Sequence, residues 1–398
     1  MTNRLEGRIH VRLTQHEDRI ADVAIRSTRP QLARKLMTGR TPEEAADLAG
    51  LIFSLCGQAQ RAAAKAACRA ALGITDETAG TPSVLMELAR EHAWRLLLDW
   101  PQEAGQAPDM TSLMALRQAN EETFADTLAA LVRERLLGEA PSDWLTRDLA
   151  GLDAWIRQGG TLPARLFASL GDGPDTGISH TGFLPELSAW SLETATDLAH
   201  RALDEQAFCT LPDWRGAPAE TGAIARTHGH PLVAGWIARR GRGMGARLLA
   251  RLVELATLPE RFRKGSLPVI HAWSISKDAE QVGLAGVETS RGLLFHVATL
   301  RDGKVADYRI LAPTEWNFHP AGPLAQALIG LRAEKELAKL VAHSLDPCVG
   351  FDVEVHVEQE VGMVLKECPL LEDEWTMKRF GSGMAPTINF ALPTSRHA

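Results

Sequence analysis

Two cysteines of the chain lie in turn-rich segments next to helices, where a thiol can reach a ligand. Cys348 follows an Asp-Pro turn in "SLDPCVGFDVEVH", and Cys56 follows a helical pattern in "SLCGQAQ". Cysteine binds soft transition metals such as iron and nickel as a thiolate. A second cysteine three residues after Cys348 would complete a metal-binding Cys-x-x-Cys, but Phe351 occupies that position. Taken alone, each cysteine is better explained as a buried structural residue, so a metal site requires a partner thiol from elsewhere.

The other cysteines give no metal-binding pattern. Cys68 lies in the alanine-rich helical stretch "QRAAAKAACRAAL", which predicts a core position, and Cys209 and Cys368 have no supporting neighbours. Five cysteines spread over more than 300 residues do not form a disulfide framework. We therefore expect free thiols and a cytoplasmic location.

Two further segments carry polar groups that could face a ligand. Arg291 lies on a Ser290-Arg-Gly turn in "GVETSRGLLFH", where a solvated surface arginine is the alternative interpretation. Pro313 and Thr314 end a predicted strand in "YRILAPTEWN" and can present a hydroxyl and backbone groups to a pocket. The His-Gly-His at 228–230 has no accompanying carboxylate or cysteine, which indicates a loop.

The charge and hydropathy of the chain bear on its partners. A net charge of −7 over 398 residues argues against nucleic acid, since binding phosphates requires a surplus of lysine and arginine. The basic run "ARRGRGMGAR" at 238–247 is expected to be the solvated face or the start of a helix. The longest apolar run is too short to cross a bilayer, and the N-terminal residues contain no Sec-type apolar region, so we expect no membrane association.

The elements that must position these residues are mostly helical. Alternating residues at 8–13 and 19–27 predict a hairpin, and Thr41-Pro42-x-Glu44 predicts a capped helix start. Amphipathic helical patterns dominate from about 83 to 203, with a long helix expected within 243–258. Asp302-Gly303 predicts the turn of a second hairpin, and a helical stretch leads into Cys348. The sequence thus predicts an α+β protein, mostly helical, with small β elements.

These segments occur in the order found in the large subunit of [NiFe] hydrogenases. The similar stretches are "LEGRIHVRL", "TGRTPEEAADLAGLIFSLCGQAQRAAAKA", "ETGAIARTHGHPLV", "VETSRGLLFH", "YRILAPTEWN" and "SLDPCVGF". The resemblance implies a large-subunit-like fold with a central helical bundle and peripheral β elements. It implies one domain over 1–398, with a β hairpin at about 6–28, a helical body at about 31–265, a β-containing part with the cysteine motif at about 266–360, and a C-terminal extension at about 361–398.

The resemblance also assigns positions to the cysteines. In the hydrogenases two Cys-x-x-Cys motifs bind nickel, and the second cysteine of each pair bridges to an iron that carries two cyanides and one carbon monoxide. Cys56, followed by Gln60 at the family's His-or-Gln spacing, corresponds to a bridging cysteine, with Phe53 at its partner's position. Cys348 corresponds to a terminal nickel ligand, with Phe351 at its partner's position. No nickel is therefore expected.

Other positions of the hydrogenase site are partly kept. Arg291 and Thr314 correspond to the residues that hydrogen-bond the two cyanides, and such charge-assisted bonds contribute about 1.5–3 kcal/mol each in a buried pocket. Ser290 replaces the family's proline before that arginine. Glu6 corresponds to the proton-transfer glutamate, and Glu354 stands in place of a metal-binding histidine.

This pattern resembles the HupK/HoxV family of hydrogenase-formation proteins. It implies a non-catalytic scaffold in which Cys56 and Cys348 ligate an Fe(CN)2(CO) fragment transiently. Arg291, Ser290, Pro313, Thr314 and Gln60 would surround the fragment. The implied partners are a small maturation chaperone that delivers the fragment and a [NiFe] hydrogenase large subunit that receives it. Two alternatives stay open from the sequence, a divergent hydrogenase subunit with its own redox activity and a metal-free interaction subunit.

Overall fold

The computed structural model describes residues 7–53, 55–75, 82–264 and 270–357. These residues belong to one compact unit, Met1–Glu358. A second unit, Gln359–Ala398, lies outside the described residues and contains the whole of the expected C-terminal extension, with Cys368. Glu6 also lies outside them. The division into segments within a single domain therefore stays a prediction.

The described strands form three sheets. The predicted N-terminal hairpin is confirmed, and its first strand also pairs in parallel with the strand that follows Cys348, with Ile9 opposite Phe351. The strand order in the sheets is β2-β1-β9, β3-β4 and β5-β6-β7-β8. The strands are β1 (Ile9–His16), β2 (Arg19–Ser27), β3 (Gly182–Phe183), β4 (Ala219–Glu220), β5 (Ile270–Lys277), β6 (Glu280–Thr289), β7 (Gly292–Arg301), β8 (Lys304–Leu311) and β9 (Phe351–Val357).

Helices make up the larger part of the described chain, as expected, and the α+β class is confirmed. The helical stretch expected before Cys348 is split in two, α16 and α17. The helices are α1 (Ala33–Met37), α2 (Pro42–Ile52), α3 (Gly57–Ala71), α4 (Pro82–Trp94), α5 (Trp100–Glu103), α6 (Met110–Gln118), α7 (Glu121–Leu131), α8 (Pro141–Leu145), α9 (Leu149–Gln158), α10 (Leu162–Ser169), α11 (Leu192–Asp204), α12 (Ala223–Thr227), α13 (Pro231–Arg240), α14 (Met244–Arg263), α15 (Pro313–Asn317), α16 (Pro323–Leu328) and α17 (Lys335–Ser344), with π-helical turns at Arg95–Asp99 and Val132–Leu137 and a 3-10 turn at Leu187–Ala189.

The four-stranded antiparallel sheet is larger than the single hairpin that the sequence indicates. The predicted turn between β7 and β8 is confirmed, with Asp302 and Gly303 both at positive φ. Helix α3 packs so closely on β6 that a Cβ on Gly283 would lie 1.8 Å from the carbonyl oxygen of Ala67. The absence of a side chain at Gly283 and the small alanine side chains of α3 allow this close contact. The sheet therefore holds in place the helix whose N-terminus carries Cys56.

The start of α2 shows the predicted capping chemistry. The Thr41 side chain accepts a hydrogen bond from the Glu44 backbone N–H, and the Glu44 carboxylate accepts one from the Thr41 N–H, which completes a capping box with Pro42 at the first helical position. This cap fixes where α2 begins, and the helix then ends at Ile52, with Phe53 as its C-cap three residues before Cys56.

Helix α14 runs through the helical core and is buried along most of its length. It begins at Met244, so the basic run at 238–247 contains the start of a helix, as expected, but the expectation of a solvated face fails for two of its arginines. Arg240 is buried and donates to the carbonyl oxygen of Gly173 at 2.9 Å, and Arg247 is buried against Glu220 at 2.7 Å. The reason is that α13 ends at Gly241 with φ 92°, so the chain turns both arginines toward acceptors on other elements.

Candidate functional site

Cys56 is the N-cap residue of α3. Its backbone N–H donates to the carbonyl oxygen of Phe53 at 3.1 Å, and its own carbonyl accepts from the Gln60 N–H at 2.9 Å. The cysteine therefore closes the turn between α2 and α3 and directs its side chain from the end of a helix that the sheet holds in place. This is the position that the turn-rich "SLCG" pattern indicates.

Cys348 lies between α17 and β9, just after Asp346, whose backbone has φ 56°. The Thr314 hydroxyl donates to Cys348 Sγ at 3.0 Å, and the same oxygen accepts from the Cys348 backbone N–H at 3.4 Å. Thr314 lies in the first turn of α15, directly after β8. The four-stranded sheet and the sheet containing β9 therefore meet at this thiol.

The two cysteines line one pocket, although 291 residues separate them in the chain. The pocket has a cavity volume of about 120 Å³ and also contacts Phe53, Arg29 and Glu315. Ile52 and Leu55, with 38% and 46% of their surfaces exposed, stand at its rim. The thiols that the sequence could only connect through a resemblance thus face the same space, which is accessible from solvent.

Burial decides the protonation of Cys56. Removal from water and, to a smaller extent, the neighbouring Cys348 raise the pKa of the Cys56 thiol to about 12, although the Arg291 charge and the Gln60 hydrogen bond act in the opposite direction. At neutral pH the thiol form is therefore the stable one without a ligand. Metal binding requires the thiolate and so releases a proton.

Gln60 contacts Cys56, and its hydrogen bonds continue into the core. Its amide Nε2 donates to Cys56 Sγ at 3.6 Å, and its Oε1 lies 2.8 Å from His296 Nε2. His296 Nδ1 lies 2.6 Å from the hydroxyl of Tyr308. His296 and Tyr308 were not identified from sequence. The sequence features that could have indicated them are a histidine inside an apolar strand and the only tyrosine of the sequence.

Arg291 is buried, which excludes the interpretation as a solvated surface residue. It donates to Glu91 at 2.7 Å, and its Nε lies 3.5 Å from Asp346 Oδ1. Burial disfavours its charge, but Asp346 and Glu91 outweigh burial and raise the pKa of Arg291 above its usual range. Among the described residues, its buried Nη1 has no hydrogen-bond acceptor. A donor of this kind is suited to an anionic ligand.

Asp346, in the turn before Cys348, is the centre of an ion-pair cluster that sequence analysis missed. Arg95 Nη2 lies 2.6 Å from its Oδ1, and Arg251 Nη2 lies 3.6 Å from its Oδ2. Burial alone would raise the pKa of Asp346, but the charges of Arg291, Arg95 and Arg251 hold it well below its usual range. The cluster ties the cysteine turn to α14 and to the Arg291 turn.

A second guanidinium, Arg29, lines the pocket and was also not identified from sequence. It pairs with Glu315 at 3.2 Å and lies over the ring of Phe53 at 5.6 Å. Burial disfavours its charge, whereas Cys348, Glu315 and Cys56 favour it and together raise the pKa of Arg29 above its usual range. The pocket is therefore bordered by a permanent positive charge close to both thiols.

The remaining expected site residues lie behind the pocket. Ser290 is buried in the turn between β6 and β7, and Pro313 occupies the first position of α15. Like Thr314 and Arg291, they are outside the pocket lining, and Ser290 and Arg291 line a separate, smaller cavity. Phe351 begins β9 and packs edge-on against His343 with ring centres 5.0 Å apart. At two positions where the resemblance to the hydrogenases implies a cysteine, this chain has a phenylalanine. Of these two, Phe53 lines the pocket and Phe351 does not.

Other expectations can be placed as well. Cys68 is fully buried in the core, as predicted, and Cys209 is buried too. The His-Gly-His segment forms the connection between α12 and α13. Glu354 is exposed on β9. Within the described ranges, no three His, Cys, Asp or Glu side chains gather as a metal-binding group, and no helix has the length and apolar character to cross a membrane.

Comparisons with known proteins give both a family and a fold. A sequence model of the family "Nickel-dependent hydrogenase" matches residues 233–354. The chain is 32% identical to the hydrogenase expression/formation protein HupK of Rhizobium leguminosarum bv. viciae, over 88% of this chain and 96% of that protein. It is 32% identical to the hydrogenase expression/formation protein HoxV of Cupriavidus necator, over 86% of this chain and 95% of that protein.

Solved structures support the fold alone. The Ni-Fe-Se hydrogenase from Desulfomicrobium baculatum superimposes with a TM-score of 0.54 and 16% identity, covering 84% of this chain and 95% of that one. The Ni-Fe-Se hydrogenase from D. vulgaris Hildenborough gives a TM-score of 0.53 at 15% identity, covering 84% and 94%. The expected large-subunit-like fold is confirmed.

Proposed function

Because the chain belongs to the HupK/HoxV family of hydrogenase expression/formation proteins, we propose that it is a non-catalytic scaffold in [NiFe] hydrogenase maturation. In this proposal it holds an Fe(CN)2(CO) fragment transiently through Cys56 and Cys348. The observation that carries the proposal is that these two cysteines line one pocket, and that Arg291, whose buried Nη1 has no acceptor among the described residues, is close enough to interact electrostatically with both thiols. The fragment is cargo, and the protein acts in the cytoplasm.

The pocket suits this cargo in size and chemistry. A cavity of about 120 Å³ corresponds to roughly four waters at their share of liquid volume, about 30 Å³ each, which is the size of an iron atom with three diatomic ligands. Ferrous iron prefers thiolates among protein ligands. With two thiolates and two cyanides, the iron complex is an anion, and Arg29 and Arg291 place positive charge beside it.

Each residue near the pocket has a separate role in the proposal. Cys56 and Cys348 lose their protons and bind the iron. Arg291 donates to one cyanide through Nη1, while its ion pairs with Glu91 and Asp346 keep the guanidinium in place. Thr314 donates to Cys348, and it becomes a donor to a cyanide by exchanging that bond. Ser290 and Pro313 shape the two turns that present these donors.

Two thiolates are also consistent with release of the cargo. The hydrogenases hold their metals with four cysteines, whereas this chain has Phe53 and Phe351 at two of the corresponding positions. A recipient large subunit that offers a fuller set of ligands would bind the iron more strongly. We propose that a small maturation chaperone delivers the fragment to Cys56 and Cys348 and that a [NiFe] hydrogenase large subunit receives it.

The proposal is tested by producing the protein together with the hydrogenase maturation machinery. We expect the purified protein to contain iron, to lack nickel, and to show infrared stretching bands of cyanide and carbon monoxide. Mixing it with the large-subunit precursor should move those bands to the recipient. Nickel together with hydrogen-dependent dye reduction would support a divergent hydrogenase instead, and protein without iron or bands would support a metal-free interaction subunit.

A further inference from the structure

A buried chain of hydrogen bonds leads from the core to Cys56. Tyr308, His296 and Gln60 are each at most 1% exposed. The Tyr308 hydroxyl lies 2.6 Å from His296 Nδ1, His296 Nε2 lies 2.8 Å from Gln60 Oε1, and Gln60 Nε2 lies 3.6 Å from Cys56 Sγ. The three side chains come from β8, β7 and α3, so the sheet and the helix that packs on it assemble the chain together.

Tyr308, at the end of the chain remote from the pocket, sets which atoms donate and which accept in these hydrogen bonds. Within the described residues, His296 Nδ1 is the hydrogen-bond partner that the structure gives to the buried Tyr308 hydroxyl. A buried hydroxyl that donates to nothing loses a hydrogen bond, at a cost of about 1–3 kcal/mol. Burial lowers the pKa of His296 to about 3, so the ring is neutral and carries one N–H. If Tyr308 donates to Nδ1, that proton must be on Nε2.

The histidine tautomer in turn orients the amide of Gln60. An Nε2–H needs an acceptor, and Gln60 Oε1 is the atom that lies opposite it. The amide NH2 group must then point the other way, toward Cys56 Sγ. The opposite tautomer would turn the amide round, present an oxygen to the sulfur and leave the Tyr308 hydroxyl without its acceptor.

We propose that Tyr308 and His296 are positioning residues that fix the Gln60 amide so that it always offers an N–H to the sulfur of Cys56. A donor complements the lone pairs of a metal-bound thiolate, whereas an oxygen would repel them. This direction of the hydrogen bonds does not depend on what the pocket carries. Its effect on an iron cargo rests on the function proposed above.

The consequence for the cargo is a weaker iron–sulfur bond at Cys56. A hydrogen bond withdraws electron density from the thiolate, so the sulfur donates less to the iron and the iron donates less back to carbon monoxide. Cys56 is thereby made the more easily exchanged ligand. Removing the donor should strengthen the iron–sulfur bond, lower the carbonyl stretching frequency and slow transfer to the recipient.

The direction itself is tested on the purified full chain without cargo. Nitrogen-15 NMR of protein labelled at histidine should show His296 as the neutral Nε2–H tautomer in the wild type. In Tyr308→Phe, which keeps the ring and removes the hydroxyl, the Nδ1–H tautomer should become populated. Cys68→Ala alters the same core but removes none of the hydrogen-bonding groups of the chain, and it should leave the tautomer unchanged. An Nδ1–H tautomer in the wild type overturns the proposal.

The link to the cargo is tested by infrared spectroscopy of loaded protein. Gln60→Leu should shift the carbonyl band to lower frequency, and Tyr308→Phe should shift it in the same direction by less. Unshifted bands in Gln60→Leu would contradict the proposed effect on the cargo. If the wild type has the Nε2–H tautomer but never acquires bands, the iron-scaffold function fails while the fixed direction stands. Bands together with the opposite tautomer would overturn the fixed direction and leave the iron-scaffold function standing.

Discussion

The hydroxyl of Thr314 and the sulfur of Cys348 lie 3.0 Å apart, and the hydroxyl donates to the sulfur. The same oxygen accepts the backbone N–H of Cys348 at 3.4 Å. One side chain at the start of α15 thus fixes both the sulfur and the backbone of a residue that follows it by 34 positions. Gln60 likewise donates to the sulfur of Cys56, so each thiol of the pocket has its own hydrogen-bond donor.

Removing the Thr314 hydroxyl, which is proposed to exchange its bond to Cys348 for one to a cyanide, should weaken retention of the iron fragment. A hydrogen bond to a charged partner contributes about 1.5–3 kcal/mol, so Thr314→Val should retain the fragment roughly ten- to a hundredfold less well. Thr314→Ser keeps the hydroxyl and should retain most of it. Iron content after dialysis against a chelator measures the difference. Equal losses in the valine and serine variants would show that the hydroxyl is not responsible.

The two phenylalanines should respond differently to replacement by cysteine. Phe53 lines the pocket, whereas Phe351 packs against His343 at the start of β9. Phe53→Cys should therefore add a third thiol to the pocket, bind nickel or zinc more tightly than the wild type and slow release of the cargo. Phe351→Cys should lose about 2 kcal/mol of stability through lost packing without this gain. Calorimetric titration of both variants with nickel or zinc measures this difference in affinity. Similar metal affinities in the two variants would contradict the prediction.

Arg291 should matter for both folding and cargo, and a second substitution separates the two effects. Arg291→Met leaves Glu91 without its cation, which should cost about 3 kcal/mol of unfolding free energy, while Asp346 keeps Arg95 and Arg251. Adding Glu91→Gln should recover most of the stability. Chemical denaturation measures this recovery.

The double variant Arg291→Met/Glu91→Gln should still fail to hold the fragment, because the buried Nη1 donor is gone. Infrared bands as strong as in the wild type would count against a role for Arg291 in binding the cargo. A control in which Glu91→Gln alone is loaded shows whether the loss belongs to the arginine.

The buried Glu254 makes stability depend on pH. Burial would raise its pKa, but two hydrogen bonds from Arg226 and one from His92 hold the pKa of Glu254 well below the ordinary 4.5. A depressed carboxylate contributes stability above its unfolded pKa and loses that contribution as the pH falls toward its folded pKa. The unfolding free energy should therefore drop below about pH 4.5, measured by denaturant titration at several pH values.

Glu254→Gln should be less stable at neutral pH, by about 3 kcal/mol, but its stability should fall less steeply in acid. Glu260→Gln, at an exposed ion pair with Lys264 on the same helix, is the matched control and should follow the wild type. A slope for Glu254→Gln as steep as that of the wild type would assign the acid sensitivity to other groups.

Local chemistry made much of the scaffold predictable. The cap at Thr41, the turn at Asp302-Gly303 and the alanine-rich helix around Cys68 depend on near neighbours, and each is found where expected. Cys56 and Cys348 were singled out because both lie in turns beside helices. That they share a pocket followed only from the resemblance, since no local pattern encodes a contact across 291 residues.

The buried charges could not be predicted in the same way. Arg240 and Arg247 belong to a run that is basic in sequence, yet their partners are Gly173 and Glu220 on other elements. Burying a charged side chain is favourable only where hydrogen-bond acceptors or opposite charges are already in place. The tertiary structure supplies those groups from residues that are distant in the sequence. The same holds for Arg29 with Glu315 and for Tyr308 with His296, which is why sequence analysis missed them.

The proposed function requires that Cys56 and Cys348 together ligate an iron that carries cyanide and carbon monoxide. Infrared spectra of protein produced with the maturation machinery test it most directly, with Cys68→Ala as a control at a buried cysteine outside the pocket. We expect cyanide and carbonyl bands in the wild type and in Cys68→Ala, and their loss in Cys56→Ala and in Cys348→Ala. Bands that persist unchanged in both pocket variants would contradict the claim.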